Sequence, residues 1–340
     1  MRICNTLAGA LLATTVIAMP AFAEKHVTGC ELTDTGGVDD RSFNETAWRG
    51  MKRAEKELGI SAKVVESLSE VDYEPNMTSV LGGKCDVIVT VGFLWGKATE
   101  KFAKANPNQK FSIVDYSYNP PLPNIRSQTF ATDEAAFLAG YLSAGMTKTG
   151  TIGVFGGMNI PPVTIFMDGY VRGIRHYNKV KGAKINVLGW DPDTKQGLFV
   201  NNFRSLDDGR TFAQNLYDEG ADIVLPVAGT VGLGSAALAD ELGAEKLKIL
   251  GVDADMALTN EKFKGVYLTS IMKRMDNTTF EVVKAVKEGT FAGGEQRGSL
   301  ANGGVDIAPF HDLDKDVPAN LKAELADVRE QIVSGKLSVK

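Results

Sequence analysis

The run Thr33-Asp34-Thr35-Gly36-Gly37-Val38-Asp39-Asp40-Arg41-Ser42-Phe43-Asn44 gathers several kinds of recognition chemistry into one short turn. Its carboxylates accept hydrogen bonds, its glycines leave backbone N–H groups open, and Phe43 and Asn44 add a flat ring and an amide that both donates and accepts. Similar groups recur at the ends of apolar runs further along the chain. Asp115 closes Phe111-Ser-Ile-Val-Asp115, Gly229 follows Ala228, Asp253 closes Gly251-Val-Asp253, and Lys273 closes Thr269-Ser-Ile-Met-Lys273. Such a set suits a polar ligand that carries a flat ring.

Bond-breaking chemistry finds less support. Asp34-Thr35-Gly36 looks like half of an aspartic-protease site, but that reaction needs two carboxylates sharing a proton, and the sequence holds no second such triplet. His26, His176 and His311 are scattered, without metal-ligand spacing to a cysteine or to one another. There is no Gly-x-Ser-x-Gly nucleophile turn and no phosphate-binding Walker run. No catalytic residue, metal site or cofactor is therefore assigned, and the chain is not read as an enzyme. One motif argues otherwise. Gly232-x-Gly234-x-x-Ala237 matches a dinucleotide fingerprint, and Asp253 lies 19 residues beyond Gly234, where a dehydrogenase would bind ribose hydroxyls. An exported NAD-dependent enzyme is the remote alternative.

Strand-like and helix-like segments alternate through the chain and place these residues at strand ends. Strands are expected at 26–34, 63–70, 86–93, 110–115 and 125–131, with helices around 45–58, 75–81 and 96–105. After a long helix over 133–146 the rhythm restarts. Strands follow at 151–155, 184–188, 222–227, 248–252 and 265–270, with helices at 162–178, 207–218, 232–242, 276–287 and 318–334. This βαβ rhythm predicts parallel sheets with right-handed crossovers. Two sheets of about five strands fit two Rossmann-like lobes better than one ten-stranded sheet. Ligands in such sheets bind outside the carboxyl ends of the strands, where the Thr33–Asn44 turn sits.

Residues 1–23 are expected to be a secretory signal peptide: Arg2, an apolar stretch from Leu7 to Met19, then Ala21-Phe22-Ala23 as a small-x-small cleavage site. The mature chain would begin at Glu24. A net charge of −5 on an exported protein argues against a nucleic-acid partner. Val27-Thr28-Gly29-Cys30 resembles a lipoprotein processing box, but three polar residues separate it from the apolar core of the signal, so a strand cysteine is expected rather than a lipid anchor. Cys30 and Cys85 fall about four and about seven residues from the ends of neighbouring strands. That stagger is roughly 10 Å at about 3.3 Å per residue, too far for a bridge, so two buried free thiols are expected, with a disulfide as the alternative.

The Asp-Thr-Gly-Gly-x-Asp-Asp-x-Ser-Phe-Asn run resembles the signature of the basic membrane protein family, the purine-nucleoside receptor-like solute-binding proteins of ABC transporters. The segments ending at Asp115, Asp253 and Lys273, and Ala228-Gly229-Thr-Val-Gly-Leu-Gly234, agree with the family in type and order. The resemblance implies a type I periplasmic binding fold whose chain crosses between lobes three times, near 131–133, before 276–287 and through 289–304. Lobe 1 would comprise 24–131 plus 271–291, and lobe 2 would comprise 132–270 plus 300–340. It implies a monomeric periplasmic receptor that captures a purine nucleoside and delivers it to an inner-membrane ABC permease. Another flat-ringed ligand, such as a flavin, or a sensory ligand-presenting role stays open.

By the same resemblance, Phe43 stacks on the base; on the residues alone it could equally be a hydrophobic staple at the helix entrance. Phe203 is the second ring, since Phe203-x-x-x-Asp207-x-Gly209 matches the family spacing to Gly229. Trp190 is its rival and is expected at the cleft rim, in a stretch, 190–202, that looks like an insertion. Asp115 would accept from the N–H groups of a purine edge and Asn44 would read the adjacent edge. Asp253 would accept from the ribose hydroxyls, with Gly229 bringing backbone near the sugar and Lys273 donating to a ribose oxygen. Asp34 sits at the end of the first strand, where it either meets the ligand or shapes a turn.

Overall fold

The computed structural model describes residues 26–340; the signal-peptide assignment lies outside them. Two six-stranded sheets carry the fold. The first is built from β1 (Thr28–Leu32), β2 (Ser61–Val65), β3 (Val87–Val91), β4 (Lys110–Val114) and β5 (Ile125–Phe130). The second is built from β6 (Thr151–Gly156), β7 (Asn186–Leu188), β10 (Ile223–Val227), β11 (Lys248–Asp253) and β12 (Tyr267–Lys273), with a small antiparallel ribbon of β8 (Trp190–Asp191) and β9 (Gln196–Gly197) beside it. Late in the chain, β13 (Gly294–Gly298) pairs in parallel with β5, and β14 (Val305–Ile307) pairs antiparallel with β12. β13 is polar and glycine-rich and carries no apolar pattern, and β14, Val305-Asp-Ile307, is too short to show one. The segment 289–304, expected as a plain connector, thus adds an edge strand to the first sheet.

The strand orders are β13-β5-β4-β3-β1-β2 and β14-β12-β11-β10-β6-β7. Both contain the doubly wound order in which connections run outward in opposite directions from one point. That point lies between β1 and β3 in the first sheet and between β6 and β10 in the second. Central strands read as continuous apolar runs because both faces are covered; Val87-Ile-Val-Thr-Val91 is buried throughout.

Helices cover the sheets as the sequence alternation requires. In the first lobe they are α1 (Phe43–Leu58), α2 (Tyr73–Gly82) and α3 (Gly96–Ala105); in the second, α4 (Thr132–Met146), α5 (Pro161–Lys181), α6 (Leu206–Asp218), α7 (Val231–Leu242) and the short α8 (Met256–Thr259). After β12 come α9 (Met275–Lys287), which packs on α1, and α10 (Ala319–Val333), which packs on α4. Local signals set several boundaries: α5 opens on Pro161-Pro162, and α1 and α5 stop at Gly59 and Gly182, both with φ of 65°.

Cys30 and Cys85 form a disulfide with Cα atoms 5.9 Å apart, contrary to the expected free thiols. Cys85 does not continue the line of β3 backwards. Lys84 has a φ of 56°, and Asp86 hydrogen-bonds through both its N–H and its carboxylate to the backbone of Thr28. The chain therefore bends over β1 just before β3 begins, and the stagger computed for extended strands does not apply.

Of the two dinucleotide-like glycines, Gly234 is explained by packing. A Cβ on Gly234 would collide with the carbonyl of Leu206, and one on Gly209 with the carbonyl of Val231. Gly209 and Gly234 let α6 and α7 touch backbone to backbone.

Candidate functional site

The strand ends at the two reversal points face one another. Between them lies a cavity whose wall includes all eight residues singled out from the sequence: Asp34, Phe43, Asn44, Asp115, Phe203, Gly229, Asp253 and Lys273. Asp34 and Gly92 follow β1 and β3, and Gly229 follows β10. Asp115, Asp253 and Lys273 sit at or just after the ends of β4, β11 and β12. A parallel sheet puts all its carboxyl ends on one edge, so side chains up to 239 positions apart in sequence arrive at one place.

Charge is concentrated there. Lys273, 2% exposed, bonds Asp115 Oδ2 through Nζ at 2.6 Å and lies 3.2 Å from Asp253 Oδ1. Burial pushes its ammonium down, but the two carboxylates outweigh burial and leave its pKa raised. Lys273 Nζ also lies 4.5 Å from the centre of the Phe43 ring and 5.3 Å from that of Phe166, close enough for cation–π attraction. Asp115 and Asp253 have φ of 63° and 67°. Asp tolerates this left-handed conformation better than most residues, and here it turns each carboxylate off the end of its strand.

The Thr33–Asn44 turn is held by its own side chains. Asp34 Oδ1 accepts from Gly36 N–H and from Asn44 Nδ2, both at 2.8 Å. Asn44 Oδ1 accepts from Asp34 N–H at 3.1 Å, and Asn44 Nδ2 also donates to Asp40 Oδ2 at 3.0 Å. Asp40 accepts from the N–H groups of Ser42, Asn44 and Glu45 and so caps α1 from two residues before its nominal cap Ser42, whose own side chain makes no cap bond. Burial pushes the Asp40 carboxyl up to about 7, with those hydrogen bonds opposing it. Burial likewise raises Asp34. Ser42 Oγ reaches the other lobe, donating to the carbonyl of Val252 at 2.9 Å and lying 3.1 Å from Asp253 Oδ2. Arg41 and Thr259 exchange bonds across the same gap.

Apolar residues add to the wall: Phe93 and Leu94 from the first lobe, and Ile160, Pro162, Val163 and Phe166 at the start of α5 and just before it. Sequence reasoning missed these, and it missed Asp40 and Gly92. A helix start that lines a cavity has the same apolar spacing as one that lines a core. For Asp40 there was a signal, a carboxylate just ahead of a helix start. Gly92, with φ of 116°, lies where a Cβ would stand 3.0 Å from Asp34 Oδ2.

Trp190 is not at the rim. It is 5% exposed, donates from Nε1 to Asp168 Oδ1 at 3.1 Å and packs edge-on against Phe199. The ribbon that looked like an insertion buries it against Phe199 and α5.

Two Rossmann-like lobes that close a mixed apolar and carboxylate-rich cavity between their strand ends define a solute-binding protein of the type I periplasmic class. The chain belongs to the Bmp family, the PnrA-like ABC transporter substrate-binding proteins, whose family model matches residues 28–340. It is 32% identical over 324 residues to the "ABC transporter nucleoside-binding protein BmpA" of Lactococcus lactis subsp. cremoris, covering 91% of this chain and 87% of that protein. A lipoprotein of Pyrococcus abyssi is 32% identical over 297 residues, covering 85% of this chain and 70% of that one. Among solved structures, an ABC transporter solute-binding protein from Aeropyrum pernix K1 superposes with a TM-score of 0.83 at 25% identity, over 92% of both chains.

Proposed function

We propose that the cavity holds a purine nucleoside and that the protein carries it, in the periplasm, to an inner-membrane ABC permease. The observation that carries this reading is the pairing of Phe43 and Phe203, one from each lobe, in a cavity that also holds Asp115, Asp253 and Lys273. Two rings from opposite lobes suit a flat base, and stacking contributes about 0.5–1.5 kcal/mol per aromatic pair beyond the area buried. Asp115 accepts from the N–H groups of the base. Asp253 accepts from the ribose hydroxyls, Lys273 donates to a ribose oxygen, and Gly229 brings backbone close to the sugar. Asn44 has committed three of its four hydrogen-bonding positions to Asp34 and Asp40, so we assign it to orienting those carboxyls. The name of the Lactococcus relative, a nucleoside-binding protein, favours the same ligand class.

Capture proceeds by hinge closure, with lobe 1 as 24–131 plus 271–291 and lobe 2 as 132–270 plus 300–340, and the ligand contacting both. Among the described residues no helix is long and apolar enough to cross a membrane. Cys30, buried in β1, is bonded to Cys85, which supports export to an oxidising compartment and favours a chain without a lipid on Cys30.

Calorimetry with adenosine, guanosine, inosine, uridine and riboflavin tests the reading. Purine nucleosides are expected to bind at micromolar concentration or tighter, about −8 kcal/mol or better. Inosine should bind more tightly than 2′-deoxyinosine by roughly 1–3 kcal/mol, the cost of leaving a desolvated acceptor unpaired. Binding of riboflavin alone overturns the nucleoside assignment, and equal affinity for the two inosines removes Asp253 from the sugar.

A further inference from the structure

Phe203 reaches the cavity from a segment with no regular structure, between the β8–β9 ribbon and α6. Something else must hold its ring. The segment before it runs alongside the end of β6: Gly156 N–H donates to the carbonyl of Leu198 at 2.9 Å, and Val200 N–H donates back to Gly156 at 3.0 Å. Asn201 N–H then donates to the carbonyl of Gly157 at 2.7 Å, while Gly157 N–H donates to the carbonyl of Val227 at 2.8 Å. Val227 immediately precedes the cavity-lining Ala228-Gly229. The Gly157 backbone is thus clamped on both edges, between the end of β10 at Val227 and the segment that delivers Phe203.

The Phe203 ring rests on that clamped backbone. A Cβ on Gly157 would overlap ring atom Cε1, stand 2.5 Å from Cδ1, and stand 3.0 Å from the carbonyl of Asn202. Gly157 is not among the residues with positive φ, so its backbone conformation suits alanine; only the space above it does not. From the other side, Asn202 Oδ1 accepts from the N–H groups of Arg204 and Ser205, and its Nδ2 donates to Asp208 Oδ2 at 2.8 Å. Ser205 Oγ then accepts from Asp208 N–H to cap α6. The turn on either side of Phe203 is therefore fixed, and the ring takes the one place the missing side chain at Gly157 leaves for it.

We propose that Gly157 is a positioning residue for ligand recognition: its bare backbone is the seat that sets the Phe203 ring at the depth and tilt from which it faces the bound base. The role of the ring itself rests on the nucleoside reading; the seat does not. Because the two closest contacts are with ring atoms of Phe203, and the Asn202 carbonyl stands at 3.0 Å, a methyl group at Gly157 displaces the ring first and asks only a small shift of the hydrogen-bonded frame.

The test is a four-member cycle of wild type, Gly157→Ala, Phe203→Ala and the double variant. Inosine affinity is measured by calorimetry, and melting temperature is measured without ligand. Gly157→Ala is expected to weaken inosine binding at least tenfold in the Phe203 background and less than about twofold in the Phe203→Ala background, where no ring remains to displace. The ligand-free melting temperatures should follow suit, with Gly157→Ala lowering the value several degrees beside Phe203 and little beside Ala. If Gly157→Ala alone does not fold but the double variant does, that rescue supports the seat equally. Equal losses in both backgrounds, in affinity and in melting temperature, would overturn it. If wild type binds none of the nucleosides, the functional reading fails by itself and the melting temperatures still decide whether Gly157 seats the ring.

Discussion

At the scale of single residues, the site separates side chains that face a ligand from those that hold others in place. Phe203 and Trp190 illustrate the division. Phe203 lines the cavity, and Phe203→Ala is expected to weaken nucleoside binding by about 2 kcal/mol or more, as for a buried aromatic anchor. Trp190 is buried against α5, outside the cavity wall, and spends its N–H on Asp168. Trp190→Ala should therefore lower stability by about 3–5 kcal/mol while a folded fraction binds with affinity within twofold of wild type. Urea denaturation and calorimetry on the two variants read these quantities. A large affinity loss confined to Trp190→Ala would mean that the second ring comes from the ribbon.

At the scale of elements, the disulfide ties β1 to the bend before β3 across 55 residues of chain. It lies on the side of the sheet covered by α2 and α3, among Tyr73, Met77 and Trp95, whereas the cavity lies beyond the strand ends. Stability and binding should separate accordingly. Replacing both cysteines by alanine is expected to cost about 2–4 kcal/mol, seen as a lower urea midpoint, with ligand affinity unchanged within twofold. A tenfold loss of affinity would show that the bridge also sets the geometry of the Thr33–Asn44 turn, which follows β1 directly.

At the scale of the whole molecule, burial in and behind the cavity raises several carboxyls together. Glu31, in the middle of β1, is fully buried, has no hydrogen-bond partner for either oxygen, and is raised well above 4.5 by burial and then by Asp40. Asp34 and Asp115 move the same way, and Asp40 moves from 3.8 to about 7. In each case the folded pKa exceeds the unfolded one, so the folded protein holds the extra protons. The stability each group contributes is full below about pH 4 to 4.5 and is lost as pH rises through its folded value, at up to about 1.4 kcal/mol per pH unit per group. For Asp40 that window closes near pH 7. Glu31→Gln, which keeps the shape and removes the titration, should make the melting temperature fall less steeply between pH 5 and pH 8 than in wild type. Parallel curves for the two proteins would show that Glu31 does not titrate in that range.

Much of this architecture was legible in the sequence because its periodicities are local. The βαβ alternation and the apolar runs are set by residues a few positions apart, so the central strands and all the long helices lie within a few residues of where patterning put them. Strand ends are legible for the same reason, and with them Asp115, Asp253 and Lys273. Patterning could not show β13, whose polar, glycine-rich residues are placed only by pairing at a sheet edge, or β14, whose three residues are too few to make a pattern. It could not show that the chain bends at Lys84 and brings Cys85 over Cys30, because a single left-handed residue leaves no periodic trace. Nor could it tell Trp190 from Phe203 by ring chemistry, since which ring reaches a cavity depends on the strand it crosses. The sequence by itself determined which groups stand at the ends of strands. Only the tertiary structure decided which of them meet, because their meeting depends on two sheets packed edge to edge and on a glycine at 157 with room above it for a ring.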